Sequence, residues 1–181
     1  VVVDALRMEA FPDADAVRQV MRGERPSKPL YAYPTRFELD LRSGGLKRRR
    51  LTDHPMELPI VNPSFRGLPY RYAWGIADRP GASGAGTLHG VGKLDVESGE
   101  VVYHDFAPHF TGEPVFAPLP GAQGEDEGWL LSLVFDVEEE RTKLVVLQAD
   151  SLETVAVAAL PHATRLGFHG TFLGSNTLAV P

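Results

Sequence analysis

The sequence predicts an all-β fold laid out as a radial array of small sheets, and three observations carry that prediction. A six-residue pattern recurs as Leu39-Asp40-Leu41-Arg42-Ser43-Gly44, Leu94-Asp95-Val96-Glu97-Ser98-Gly99 and, more loosely, Leu147-Gln148-Ala149-Asp150-Ser151-Leu152, so that aligned aspartates fall at Asp40, Asp95 and Asp150, 55 residues apart each time. Each copy sits between two short strand-like runs, which makes the repeat a hairpin. The 18 glycines and 15 prolines among 181 residues supply many turns and leave little room for long helices. A period of this length, made of strands and turns, marks a propeller or related array in which each repeat is one supersecondary unit of about four strands.

The elements follow in chain order. Val1 to Arg7 reads as a strand, and Asp13 to Arg22 as a short helix with Ala14, Val17 and Met21 on one face and Gly23 as its stop. Tyr31 to Leu41 and Leu46 to Leu51 are strands joined at Ser43-Gly44-Gly45, where glycine supplies the positive φ that a hairpin turn needs. The same hairpin returns as Lys93 to Val96 with Glu100 to Phe106, and again as Lys143 to Ala149 with Thr154 to Leu160. Tyr70 to Ile76, Trp129 to Phe135 and strands beginning at Glu57, Glu113 and His169 complete roughly three blades. The basic run Lys47-Arg48-Arg49-Arg50 lies on a strand, where alternate residues face opposite sides; it reads as a solvated edge that discourages pairing rather than as a nucleic-acid patch. The glycine-rich stretch Pro80 to Gly86 lacks the Gly-Lys-Ser/Thr ending of a phosphate loop and reads as a connection. Gly121 to Gly128, with Glu125, Asp126 and Glu127, lacks the alternating ligand spacing of a calcium loop and reads as a solvated turn.

Composition narrows the chemistry. A hydrophobic content of 43% supports a packed core, and a net charge of −6 gives no general attraction to nucleic acid or anionic lipid. With no cysteine, thiolate metal sites, disulfides and a thiol nucleophile are excluded, so any metal is held by histidine, carboxylate or carbonyl groups. No apolar run is long enough to span a bilayer, and the N-terminus has none of the regions of a signal peptide. The expectation is a soluble cytoplasmic protein. Because the chain opens at Val1, within a strand-like run, the expectation is also that residues 1–181 are one piece of a longer protein.

Glu57, Glu113 and His169 stand 17, 18 and 19 residues beyond the three aspartates and are themselves 56 apart. Equivalent positions of successive blades point at the same axis, where a propeller can hold a metal ion. Local sequence leaves two readings of each. His169, between Phe168 and Gly170, is either an imidazole approached closely by a ligand or a core histidine bonded to a backbone carbonyl. Glu57 and Glu113 head apolar runs, where a carboxylate needs a partner: a metal-bound imidazole whose tautomer it fixes, or a nearby Arg66 or Arg71. His54, His89, His104, His109 and His162 read as surface or strand-end residues.

Five ordered motifs, Glu57-Leu58-Pro59-Ile60-Val61-Asn62-Pro63, Pro69-Tyr70-Arg71-Tyr72-Ala73-Trp74-Gly75, Gly112-Glu113-Pro114-Val115-Phe116, Asp126-Glu127-Gly128-Trp129-Leu130-Leu131 and Phe168-His169-Gly170-Thr171-Phe172, resemble the C-terminal portion of the carotenoid cleavage oxygenases. The resemblance implies a seven-bladed propeller carrying Fe(II) on its axis, of which residues 1–181 would be about three blades at the C-terminal end. In that family four histidines hold the iron and glutamates brace three of them. By motif His169 matches an iron ligand, while Glu57 and Glu113 match bracing glutamates whose imidazole partners would lie upstream, as would the other three ligands. The implied activity is O₂-dependent scission of a conjugated carbon–carbon double bond in a carotenoid, apocarotenoid or stilbene, giving two carbonyl products. The implied partners are a long apolar polyene or stilbene, O₂ and the upstream blades, with peripheral membrane contact for substrate uptake and no nucleic acid. Two other readings stand beside it: a non-catalytic truncated module that binds partners or oligomerises through its open edges, and a propeller scaffold alike in fold only.

Overall fold

A computed structural model describes residues 1–8, 14–22, 31–78, 89–164 and 169–174. The predicted helix stop at Gly23 and the loop from Pro80 to Gly86 fall outside these residues. The chain forms β1 (Val2–Met8), α1 (Ala14–Met21), β2 (Ala32–Leu39), β3 (Leu46–Arg50), β4 (Met56–Ile60), β5 (Tyr72–Ala77), β6 (Gly90–Asp95), β7 (Val101–Asp105), β8 (Phe110–Thr111), β9 (Val115–Pro118), β10 (Gly128–Asp136), β11 (Arg141–Gln148) and β12 (Thr154–Ala159). They make three successive antiparallel sheets, ordered β1-β2-β3, β4-β5-β6-β7 and β12-β11-β10 with β8 and β9 both on the free side of β10. Every sheet therefore adds strands in chain order, as a propeller blade does. One expected strand is missing: 169–174 is irregular, because a strand needs a ladder partner and no described strand pairs with this segment.

The three hairpin turns are equivalent, but not in the register that the aspartates suggest. In each turn one amide closes on a carbonyl four residues back: Gly44 on Asp40, Gly99 on Asp95 and Leu152 on Gln148, all at 2.8 Å. Gln148, not Asp150, thus occupies the place of Asp40 and Asp95. The closing residue has positive φ in every case, +70° and +79° at the glycines and +62° at Leu152. Glycine takes this conformation freely and leucine does not, which explains why the third copy looks degenerate.

Burial follows position within the stack of sheets. The middle sheet is covered on both faces, so Ala73 to Ala77 of β5 are buried without a break, whereas β10 alternates strictly. The last strands β3 and β12 are exposed throughout, and the basic run of β3 is the solvated edge that its sequence predicts. Trp74, Val91, Phe116, Leu130, Val134 and Leu147 form the core between the second and third sheets. Leu51, Met56, Ala77, Leu94 and Val96 form that between the first and second.

Polar clasps cross the same interfaces. Arg36 donates to both carboxylate oxygens of Asp4 at 2.9 and 2.7 Å, and the Tyr70 hydroxyl reaches Asp4 from the second sheet at 2.5 Å. Burial by itself would raise the Asp4 pKa, but these bonds outweigh it and hold the carboxyl below its usual range. The Glu125-Asp126-Glu127 loop, expected to be merely solvated, is a second clasp. Glu125 accepts the amides of Arg71 and Tyr72, and Asp126 accepts Lys93 Nζ at 2.6 Å beneath the Tyr72 ring. The carboxylates of Glu125 and Asp126 are drawn out of solvent by donors at the sheet boundary, two backbone amides and an ammonium that also donates to Asp150 O at 2.9 Å.

Gly75 marks the tightest approach near the first candidate residue. A Cβ here would stand 2.7 Å from the carbonyl oxygen of Glu57, a backbone atom that cannot swing aside. Gly75→Ala is therefore expected to destabilise the chain by about 1–3 kcal/mol, seen as a lower urea midpoint with unchanged slope. An unchanged midpoint would show that this approach is not close.

Candidate metal centre

Both candidate glutamates stand where the first strand of a sheet carries one residue too many. In the second sheet Glu57 pairs with Ile76 and Ile60 with Trp74, so three steps on β4 oppose two on β5. In the third, Thr111 pairs with Val134 and Val115 with Leu131, so four steps oppose three on β10, and Glu113 lies inside that interval. Such bulges bend the strand and re-aim side chains. Leu58, directly after Glu57, has φ +47°, a conformation that costs a non-glycine residue energy and survives where the surroundings impose it.

Glu113 and His169 meet across 56 residues of chain. Glu113 Oε1 lies 3.4 Å from His169 Nδ1, and its Oε2 accepts the Gly170 amide at 3.0 Å. The carboxylate thus holds both the ring and the backbone of this segment, the amide bond being the shorter. Glu113 is 11% exposed and His169 78% exposed, so the carboxylate is anchored in the sheet and the imidazole projects from it. With Nδ1 facing a carboxylate, the ring presents Nε2, which bonds to nothing among the described residues. This arrangement corrects the expectation that Glu113 serves an imidazole outside the chain.

Glu57 does not join them. Its side chain makes no hydrogen bond or ion pair among the described residues, and Arg71, one of its proposed partners, is engaged by Asp95 at 2.7 Å. No group of three His, Asp or Glu side chains suited to a metal occurs among the described residues, so the idea that Glu57, Glu113 and His169 share one ion directly is not met. Half-buried and uncompensated, Glu57 has its pKa raised by burial. A raised carboxyl pKa means that the fold prefers the protonated form: the penalty is absent below the ordinary glutamate pKa, grows as pH rises through the raised value, and is full at neutrality. Glu57→Gln is expected to stabilise the 181-residue chain at pH 7 and to have no such effect at pH 3.5, as read from urea midpoints at the two pH values. Equal shifts at both would refute the burial argument.

His54 and His89, read as surface or strand-end residues, stand just before β4 and β6 and bond to the backbone carbonyls of Asp78 and His109, at 2.8 and 2.7 Å. Glu113 and His169 also line two adjoining cavities. One of about 390 Å³ runs between Asp4, Leu6, Met56 and Ile60, and the other, of about 210 Å³, between Val115, Leu131, Leu144 and Phe172.

The motif-level likeness has independent support. The family model described as RPE65, retinal pigment epithelial membrane protein, matches residues 1–174. The chain belongs to this family, that of the carotenoid cleavage oxygenases. It is 36% identical over 141 residues to the apocarotenoid-15,15'-oxygenase of Synechocystis sp., covering 76% of this chain and 28% of that protein. It is 29% identical over 176 residues to a carotenoid cleavage oxygenase of Mycobacterium tuberculosis, covering 94% and 34%. Among solved structures, an ACO/RPE65 chimera superposes with a TM-score of 0.83 at 28% identity over 96% of this chain and 36% of that one. Cobalt-substituted Synechocystis ACO gives a TM-score of 0.77 at 30% identity, over 90% and 34%. The chain spans about a third of the length of these family members, whose names are those of oxygenases and one of which has been loaded with a metal.

Sequence reasoning found Glu113 and His169 but missed the second hold on the carboxylate, the Gly170 amide. A glycine following the histidine is a detectable signal: a Cβ there would come within 3.0 Å of Val115 Cγ2.

Proposed function

We propose that this chain is the C-terminal portion of a non-haem Fe(II) dioxygenase that cleaves a conjugated double bond of a carotenoid, apocarotenoid or stilbene. The overall change is balanced: O₂ adds one oxygen atom to each alkene carbon as the double bond breaks, leaving two carbonyl compounds. The observation that carries the reading is the Glu113–His169–Gly170 contact, the carboxylate-braced imidazole that metal-binding histidines use. When bound, ferrous iron supplies the redox chemistry by which O₂ reacts with the alkene.

The chain's own residues do the holding. His169 offers Nε2 as a ligand. Glu113 accepts the Nδ1 proton, which fixes the tautomer, raises the basicity of Nε2 and limits rotation of an otherwise exposed ring. Glu57 has the position and the want of a partner that suit bracing a second imidazole delivered from outside these residues. The remaining ligands, the upstream blades and the inactivity of this piece alone belong to the same proposal, as does a cytoplasmic location with peripheral membrane contact for substrate uptake. No helix of the described residues is long and apolar enough to cross a membrane.

The test is to reconstitute the intact protein with Fe(II), measure metal by elemental analysis after desalting, and assay apocarotenoids and stilbenes under O₂ for paired carbonyl products. Stoichiometric iron with cleavage supports the reading. A well-folded intact protein that retains no iron refutes it.

A further inference from the structure

The bulge that aims Glu113 opens the ladder between β8 and β9, and a bulge leaves backbone groups that must find other partners. The Gly112 amide is satisfied by Leu133 O at 2.9 Å. Its carbonyl is met instead by two buried hydroxyls, Thr111 Oγ1 and Ser132 Oγ, each 3.2 Å away and 2.6 Å from each other. Thr111 is 2% exposed and Ser132 0%, so water does not substitute for them.

Two hydroxyl protons serve three contacts. One hydroxyl donates to the other, and the second donates to Gly112 O, in either direction. The carbonyl is therefore held whichever hydroxyl is nearer, and the residue held is the immediate neighbour of Glu113. We propose that Thr111 and Ser132 are positioning residues for the metal centre: together they lock the bulge at Gly112 and so set the carboxylate of Glu113 against His169 Nδ1 and the Gly170 amide. The metal part of this statement rests on the function proposed above; the positioning part does not.

The pair predicts redundancy. Thr111→Val or Ser132→Ala each leaves one hydroxyl able to donate directly to Gly112 O, so each alone is expected to keep Gly170 amide protection and iron retention near the wild-type level. T111V/S132A orphans the buried carbonyl and frees the bulge; Gly170 amide exchange in the metal-free intact protein should then accelerate to the level seen in Glu113→Ala, which removes both acceptor oxygens. Fe(II) dissociation into a chelator should rise about tenfold or more. On the E113A background, removing the hydroxyls should change Gly170 exchange no further, a coupling that general loss of stability would not produce. If T111V/S132A does not fold, T111S/S132A carries the test: one hydroxyl is restored and protection should return. Unchanged Gly170 protection in the folded double variant, lost protection in T111S/S132A, or additivity with E113A would each overturn the proposal. A wild-type protein that binds no iron while its Gly170 exchange follows this pattern would refute the proposed function and leave the positioning role standing.

Discussion

On the proposed function, His169→Ala is expected to strip the intact protein of retained iron and to abolish double-bond cleavage, while leaving the unfolding midpoint of the 181-residue chain almost unchanged. The asymmetry follows from exposure: the His169 side chain is 78% exposed in this chain, so truncating it removes little packing, whereas its Nε2 bonds to nothing else among the described residues. Glu113→Gln should behave differently. The amide can still accept from His169 Nδ1 or Gly170, but it no longer places a charge behind the ring, and losing such a bracing carboxylate costs about 10–100-fold in metal affinity. The two variants should therefore separate in a chelator challenge followed by elemental analysis, with His169→Ala losing metal at once and Glu113→Gln losing it faster than wild type. Full iron retention by His169→Ala would remove it from the ligand set.

How much of this was legible in the sequence depends on the kind of signal. The hairpin repeat was legible because glycine at the closing position is enforced by a positive φ, and Gly44 and Gly99 carry that requirement openly. The third copy misled because Leu152 bears the same conformation under a side chain that conceals it, and a nearby Asp150 offered a false match two residues from the true equivalent, Gln148. The edge strand β3 was legible from charge alone. Bulges were not: an extra residue on β4 or before β9 shows only when two strands are laid in register, and the sequence of one strand contains no count of the other.

The candidate centre divides in the same way. Glu57, Glu113 and His169 stood out because carboxylates and imidazoles are costly at the head of apolar runs, and their spacing matched the sheet repeat. Which carboxylate meets the histidine was not readable, since it depends on how the segment after the third sheet folds back onto that sheet's own first strand. Thr111 and Ser132 were invisible for a simpler reason. Hydroxyls in strands are common, and only their convergence on one carbonyl, freed by a bulge that sequence does not show, gives these two a role.

Trp74→Ala is expected to be the most damaging substitution to the fold. The indole is fully buried, its ring centroid 5.0 Å from that of Phe116 in the third sheet, and its Nε1 donates to Ala149 O at 2.9 Å. Removing a buried tryptophan costs about 3–5 kcal/mol, of the same order as the whole stability of many domains. A separate contribution of about 1–3 kcal/mol comes from the carbonyl of Ala149, left unpaired beneath the surface. Trp74→Phe divides the two, since it keeps most of the ring and loses the donor; its urea midpoint should fall between those of wild type and Trp74→Ala. The position explains why the loss would reach the candidate metal centre. Trp74 of β5 pairs with Ile60 of β4, three residues beyond Glu57, and packs on Phe116, three residues beyond Glu113. One side chain thus fixes the spacing between the two bulged strands, and if Trp74→Phe holds that spacing, iron retention should follow the ring rather than the hydrogen bond.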